Sequence, residues 1–161
     1  MQTVAKLKQI RRALVSPSSG GKVGYVVDVF TPSLSTSRIP TSLKAAAKGQ
    51  APDVHMEKQL SDFVALRDEL YETCRTAHPA VDCPFCSEVG RTLLLGAVLP
   101  GSVLTLLLSQ HQQTKAVQRF IDALVLLGAS CPVVEADACS CQKNLPRQLF
   151  KFLLGEQDPL V

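Results

Sequence analysis

From Val54 to Cys74 the chain reads VHMEKQLSDFVALRDELYETC, and its apolar rhythm changes abruptly in the middle. Up to Leu60 polar and apolar residues alternate, as side chains on the two faces of a strand do. From Ser61 onward Phe63, Leu66, Leu70, Tyr71 and Cys74 recur at helical spacing, and Arg67, Asp68, Glu69 and Glu72 stay largely off that face. A strand that passes into a helix with no room for a loop restricts the chain to folds in which helices pack on a sheet. Ser61 is placed to cap the helix, and Asp62 in its first turn complements the helix dipole. The helix is predicted to end near His78–Pro79, because proline disfavours helical geometry in the residue before it.

The remaining segments supply the other elements. SPSSGG (Ser16 to Gly21) is a turn, and KVGYVVDVF after it has the β-branched and aromatic composition of a strand. The segment before the turn, Val4 to Val15, fits either a helical stripe or a strand; a hairpin across the turn favours strand. Residues 31–53, with three prolines and no sustained period, read as a long loop, and VHMEKQL as a third strand. Val117, Phe120, Ile121, Leu124 and Leu127 predict a helix capped by Thr114 and stopped by Gly128. A short last helix is expected after Asn144 and Pro146, burying Leu149, Phe150, Phe152 and Leu153 before Gly155. The expected fold is α+β: a three-stranded antiparallel sheet packed against a helical layer, one domain over residues 1–161. Within it residues 31–53 form a long loop, and residues 139–155 form a cysteine-containing helical extension at the C-terminus.

Composition narrows the function. The chain has 161 residues, 46% of them hydrophobic and 19% charged, enough for a buried core and against wholesale disorder. A net charge of +3, no Trp and 5% aromatic residues argue against nucleic acid as partner. The N-terminal MQTVAKLKQIRRALV mixes basic and apolar residues without an apolar signal core, so a cytoplasmic location is expected. The uncharged run TLLLGAVLPGSVLTLLLS (Thr92 to Ser109) is interrupted by Pro100–Gly101 and is read as two short buried elements rather than a transmembrane span. The three histidines lie in no nucleophile or metallohydrolase motif, and no catalytic activity is expected.

A three-stranded meander running into EKQLSDFVALRDEL resembles the PX (phox-homology) domain. That family's third strand enters its first helix as R-R-Y/F-S-D/E-F-x-x-L-x-x-x-L. Ser61, Asp62, Phe63, Leu66 and Leu70 match in register, and TKAVQRFIDALVLL resembles the family's second long helix, which carries a lipid-contacting Arg at the position of Arg119. The resemblance runs from about Lys6 to Leu127 and marks a divergent member with extra cysteine pairs. It implies a phosphoinositide-binding, membrane-targeting module, peripheral on endosomal membranes. The implied headgroup contacts are Lys58, Gln59, Leu60 and Arg119, and the implied bilayer-dipping loop is around Val98 and Leu99. The paired arginines of the family are Lys58 and Gln59 here, the aromatic is Leu60, and the proline-rich loop is VLPGS without a basic residue. Lys lacks the planar fork with which Arg grips a phosphate, and Gln carries no charge. The pocket is therefore degenerate. The alternative to a phosphoinositide-containing membrane is a protein partner, the domain then being a lipid-incompetent interaction or scaffold module. Arg38, Lys44 and Lys48 in the 31–53 loop are further cations within reach of such a site if that loop folds over it.

Six cysteines in a reducing compartment raise a separate possibility. Cys83-x-x-Cys86 and Cys139-x-Cys141 are two close pairs, one after the first long helix and one before the last short one. Four thiolates suit one structural zinc ion that would staple the C-terminal segment to the body. His78 is a substitute ligand near Cys83. Buried thiols without metal, and a Cys83–Cys86 disulfide, are the competing readings. Cys74 and Cys131 are assigned to packing.

Overall fold

The computed structural model describes residues 2–19, 24–31, 51–78, 83–95, 107–131 and 138–155. Strands β1 (Arg12–Pro17), β2 (Gly24–Phe30) and β3 (Val54–Gln59) form one sheet in the order β1-β2-β3. Both pairings are antiparallel, with Val15 opposite Val27 and Val27 opposite Met56. The period of two turns Ala13, Val15, Tyr25, Val27 and Val29 to one buried face. Helices α1 (Gln2–Lys8), α2 (Leu60–Thr76), α3 (Pro84–Leu95), α4 (Gln110–Ser130) and α5 (Ser140–Leu154) complete the described elements. The fold is α+β, as expected, with α4 packed along β1 and α5 against α2.

The first segment differs from the expected strand in its N-terminal half. β2 offers pairing partners from Tyr25, opposite Pro17, to Phe30, opposite Arg12. The Arg11 amide takes the Phe30 carbonyl at 2.9 Å, and the ladder ends there. The residues before it have no strand to pair with among the described residues and coil into α1, which buries Leu7. The helix boundaries also shift. β3 passes into α2 with no intervening residue, so Gln59 is the N-cap and its amide donates to Asp62 Oδ2 at 2.7 Å; Ser61 is already inside the helix. Ser109, not Thr114, caps α4, closing a reciprocal box with Gln112. The Thr114 hydroxyl instead donates back to the Gln110 carbonyl at 2.8 Å.

α5 begins six residues before Pro146 and carries that proline inside it. The stripe of Cys141, Leu145, Leu149, Phe150 and Leu153 is buried, and its burial outweighs the one backbone bond the proline removes. Phe63 joins the layers: its ring meets Tyr25 of β2 edge-on at 5.7 Å and Phe152 of α5 at 5.3 Å. The base of the 31–53 segment is tied. Thr31 donates to Asp53 Oδ2 through its amide at 2.6 Å and its hydroxyl at 2.9 Å. Arg38, Lys44 and Lys48 lie outside the described residues. Among the described residues no helix is long and apolar enough to cross a membrane.

Candidate metal centre

Three short segments converge on one point. The last turn of α2 carries Cys74, and His78 follows just past its end. Cys83 directly precedes α3, and Cys86 stands in that helix's first turn. Cys139 is the N-cap of α5, and Cys141 lies in its first turn. The ligand atoms of His78, Cys83, Cys86 and Cys139 all fall within 4.8 Å of one another. Cys139 Sγ is 3.9 Å from Cys83 Sγ and 3.6 Å from Cys86 Sγ. Four ligands around zinc with Zn–S near 2.3 Å place neighbouring sulfurs about 3.8 Å apart. The thiols thus already stand at tetrahedral spacing, and none of the six cysteines is in a disulfide.

The imidazole supplies an independent sign. His78 Nε2 is buried without a hydrogen-bond partner among the described residues. Such an atom is costly to leave unpaired, and coordination to a cation would remove the cost. Electrostatics agree. The N-termini of α3 and α5 both face the cluster, and helix N-termini stabilise thiolates. Burial opposes ionisation of Cys83, but hydrogen bonds from the Cys86 amide and thiol and from Cys139, with the His78 imidazole beside them, outweigh it and bring the thiol down to about 7. Cys86, buried beside Cys139, is pushed the other way, well above the usual thiol range. The set of three sulfurs and one imidazole can hold a metal ion.

The expected four-cysteine set is therefore only partly assembled. Cys83, Cys86 and Cys139 come together, His78 takes the fourth place, and the Cys141 thiol turns inward. It lies with Cys74 and Cys86, again all within 4.8 Å. The physical reason is the helix. Two residues apart at the start of α5, Cys139 and Cys141 point some 200° away from each other, so they cannot share one side of one ion. Cys131 is a packing residue as expected, buried and bonded to the Leu127 carbonyl at 3.6 Å. Cys74, assigned to packing in the sequence, is buried, and its thiol donates to the Cys86 carbonyl at 3.1 Å.

The strand–helix junction is a different kind of site. Lys58 faces the helical side of the sheet, opposite Tyr25, and its ammonium sits 4.7 Å over the Phe152 ring. A groove of about 470 Å³ is lined there by Lys58, Asp62, Glu69, Gln148, Lys151 and Phe152, together with Ala65 and Leu66. Gln59 is exposed at the cap, and Leu60 packs on the core. Arg119 does not line this groove; it is exposed on α4, which packs along β1 at the other edge of the sheet. Val98 and Leu99 lie outside the described residues. No family model, curated protein or solved structure matches the chain.

Proposed function

We propose that the chain is a PX-like docking domain whose helical half is fastened by one structural zinc ion on His78, Cys83, Cys86 and Cys139. The observation that carries the metal is the convergence, from three separate segments, of three thiols at tetrahedral spacing and a buried imidazole nitrogen without another partner. Zinc is the natural occupant of an S₃N set, since it is thiophilic, redox-inert and tetrahedral. Four protein ligands leave no open position for a substrate, so the centre is structural.

The docking reading rests on the groove's charge. Lys58 and Lys151 are balanced there by Asp62 and Glu69, and Lys58 is already engaged by Phe152. A phosphate monoester carrying nearly two charges finds no net positive field in that lining, whereas a protein segment with both signs does. The phosphoinositide reading survives only through Arg119, which is exposed and makes no hydrogen bond or ion pair with the described residues.

Two measurements decide the proposal. The purified chain is expected to carry zinc that a thiol-modifying reagent releases; a metal-free chain that is still folded overturns the zinc. In co-sedimentation, vesicles with and without phosphatidylinositol 3-phosphate are expected to leave the chain in solution. Pelleting that depends on the phosphoinositide and disappears in Arg119→Ala overturns the docking reading in favour of a working headgroup site.

A further inference from the structure

Each of the three converging segments carries a second ligand that the four-ligand site leaves unused or half used. The end of α2 contributes Cys74 to the second group, and His78 just past it belongs to the first. The Cys83–Cys86 turn contributes Cys83 to the first and Cys86 to both. The start of α5 contributes Cys139 to the first and Cys141 to the second. We propose that Cys74, Cys86 and Cys141 form a second metal position, joined to the first through the Cys86 sulfur, which takes a soft, thiophilic d¹⁰ cation. This rests on the reading of His78, Cys83, Cys86 and Cys139 as the first site.

The chemistry of the pocket defines the ion. Cys74, Cys86 and Cys141 are 5%, 1% and 0% exposed, so the position is dry; its three side chains offer sulfur, and the Cys86 carbonyl oxygen lies against them, accepting from the Cys74 thiol at 3.1 Å. Hard cations demand oxygen ligands and water, and are excluded by this lining. Three sulfurs around a trigonal ion at about 2.3 Å stand roughly 4.0 Å apart, inside the 4.8 Å envelope these thiols already occupy. A thiolate sulfur has lone pairs to spare after binding one metal, and Cys86 lies in both groups. Charge also allows it. The first ion with three thiolates leaves a net charge of minus one; a second divalent ion with two further thiolates leaves that sum unchanged. The second cation therefore adds no buried charge, whereas ionising Cys74 and Cys141 without one would.

Cadmium is the probe, since it takes zinc's ligands and reports thiolate bonds by charge-transfer absorption. Titrating Cd²⁺ into the reduced, metal-free full chain is expected to give absorption that rises to two equivalents. ¹¹³Cd spectra of the same unmutated chain are expected to show two resonances split by coupling through the shared sulfur. The Cys74→Ala, Cys141→Ala double variant is expected to stop at one equivalent and lose the splitting. Saturation of the unmutated chain at one equivalent overturns the proposal. If that single equivalent is lost in His78→Ala, the zinc reading stands and only the second ion falls. If it is lost in the Cys74/Cys141 variant and kept in Cys83→Ser, the first site was misassigned as well. No binding overturns both. The coupling is read without any substitution, so a variant that fails to fold leaves the test intact.

Discussion

Cys83 and Cys86 lie three residues apart and are driven in opposite directions on the pH scale. Cys83 sits at the rim of the cluster, where donors from Cys86 and Cys139, beside the His78 imidazole, overcome burial and bring it from the ordinary 9.0 to about 7. Burial dominates at Cys131 and Cys141, which are pushed up to about 11 and about 12. Because the folded value of Cys83 lies below its unfolded one, its ionisation adds stability that is complete above about pH 9 and lost as pH falls through about 7. The same ordering governs reactivity, since the thiolate is the nucleophile. In the metal-free chain, Cys83 is expected to alkylate first, with a half-maximal rate near pH 7, while Cys131 and Cys141 stay protected. Peptide mass mapping after timed iodoacetamide exposure checks this, and a uniform rate across the thiols refutes it. Bound metal should abolish the difference by protecting Cys83.

At the scale of elements, α4 does two jobs that its hydrophobic stripe alone does not announce. β1 is an edge strand, and Gln118 serves as a substitute neighbour for it. Its Oε1 accepts from the Val15 amide at 2.7 Å, and its Nε2 donates to the Ala13 carbonyl at 2.7 Å. Exposed strand edges invite unwanted pairing, and a side-chain amide blocks this one. Gln118→Ala leaves both backbone groups without that partner and is expected to cost about 1–3 kcal/mol. Faster hydrogen exchange at Val15, with β2–β3 amides unchanged, is the specific readout. The second job belongs to Gly128. A Cβ there would lie 3.1 Å from Leu149 Cδ2 and 3.4 Å from Leu7 Cδ1, so the missing side chain lets α1 and α5 close on α4. Gly128 is thus a crossing point within the helix and not its stop. Gly128→Val is expected to destabilise by about 1–3 kcal/mol through overpacking, measured by urea denaturation. An unchanged midpoint would show that the neighbours yield freely.

Across the whole molecule, one apolar core runs from the sheet to the cysteine cluster, since Cys74, Cys86 and Cys141 are themselves part of it. The sheet and the faces of α2, α3, α4 and α5 share it, and Phe63 joins the sheet to α5. The cysteine cluster ties the far end of α2 to the starts of α3 and α5. An ion bound only by the folded chain, at a thousandfold excess over its Kd, adds about 4 kcal/mol. For a chain of this size that corresponds to a midpoint about 8–16 °C higher. Chelation under reducing conditions is therefore expected to lower the thermal midpoint by that amount, and an unchanged midpoint would rule out a stabilising metal. Much of this organisation was legible from residue order. Alternation marked β2 and β3, period marked α2 and α4, and two short-spaced cysteine pairs marked a metal candidate; these are local patterns. Helix α3 went unread because Phe85, Cys86, Val89 and Leu93 were overshadowed by the neighbouring cysteines and the apolar run. The Leu60 position lacks the aromatic of the resembled motif, yet Phe152, distant in sequence, puts a ring against Lys58. By itself the sequence determined the α+β class, the strand–helix junction and that the two short-spaced cysteine pairs could bind a metal. Only the tertiary structure decided which thiols meet. Ligand grouping depends on where three helix ends point, and a turn of about 100° per residue sends Cys139 and Cys141 to different sides.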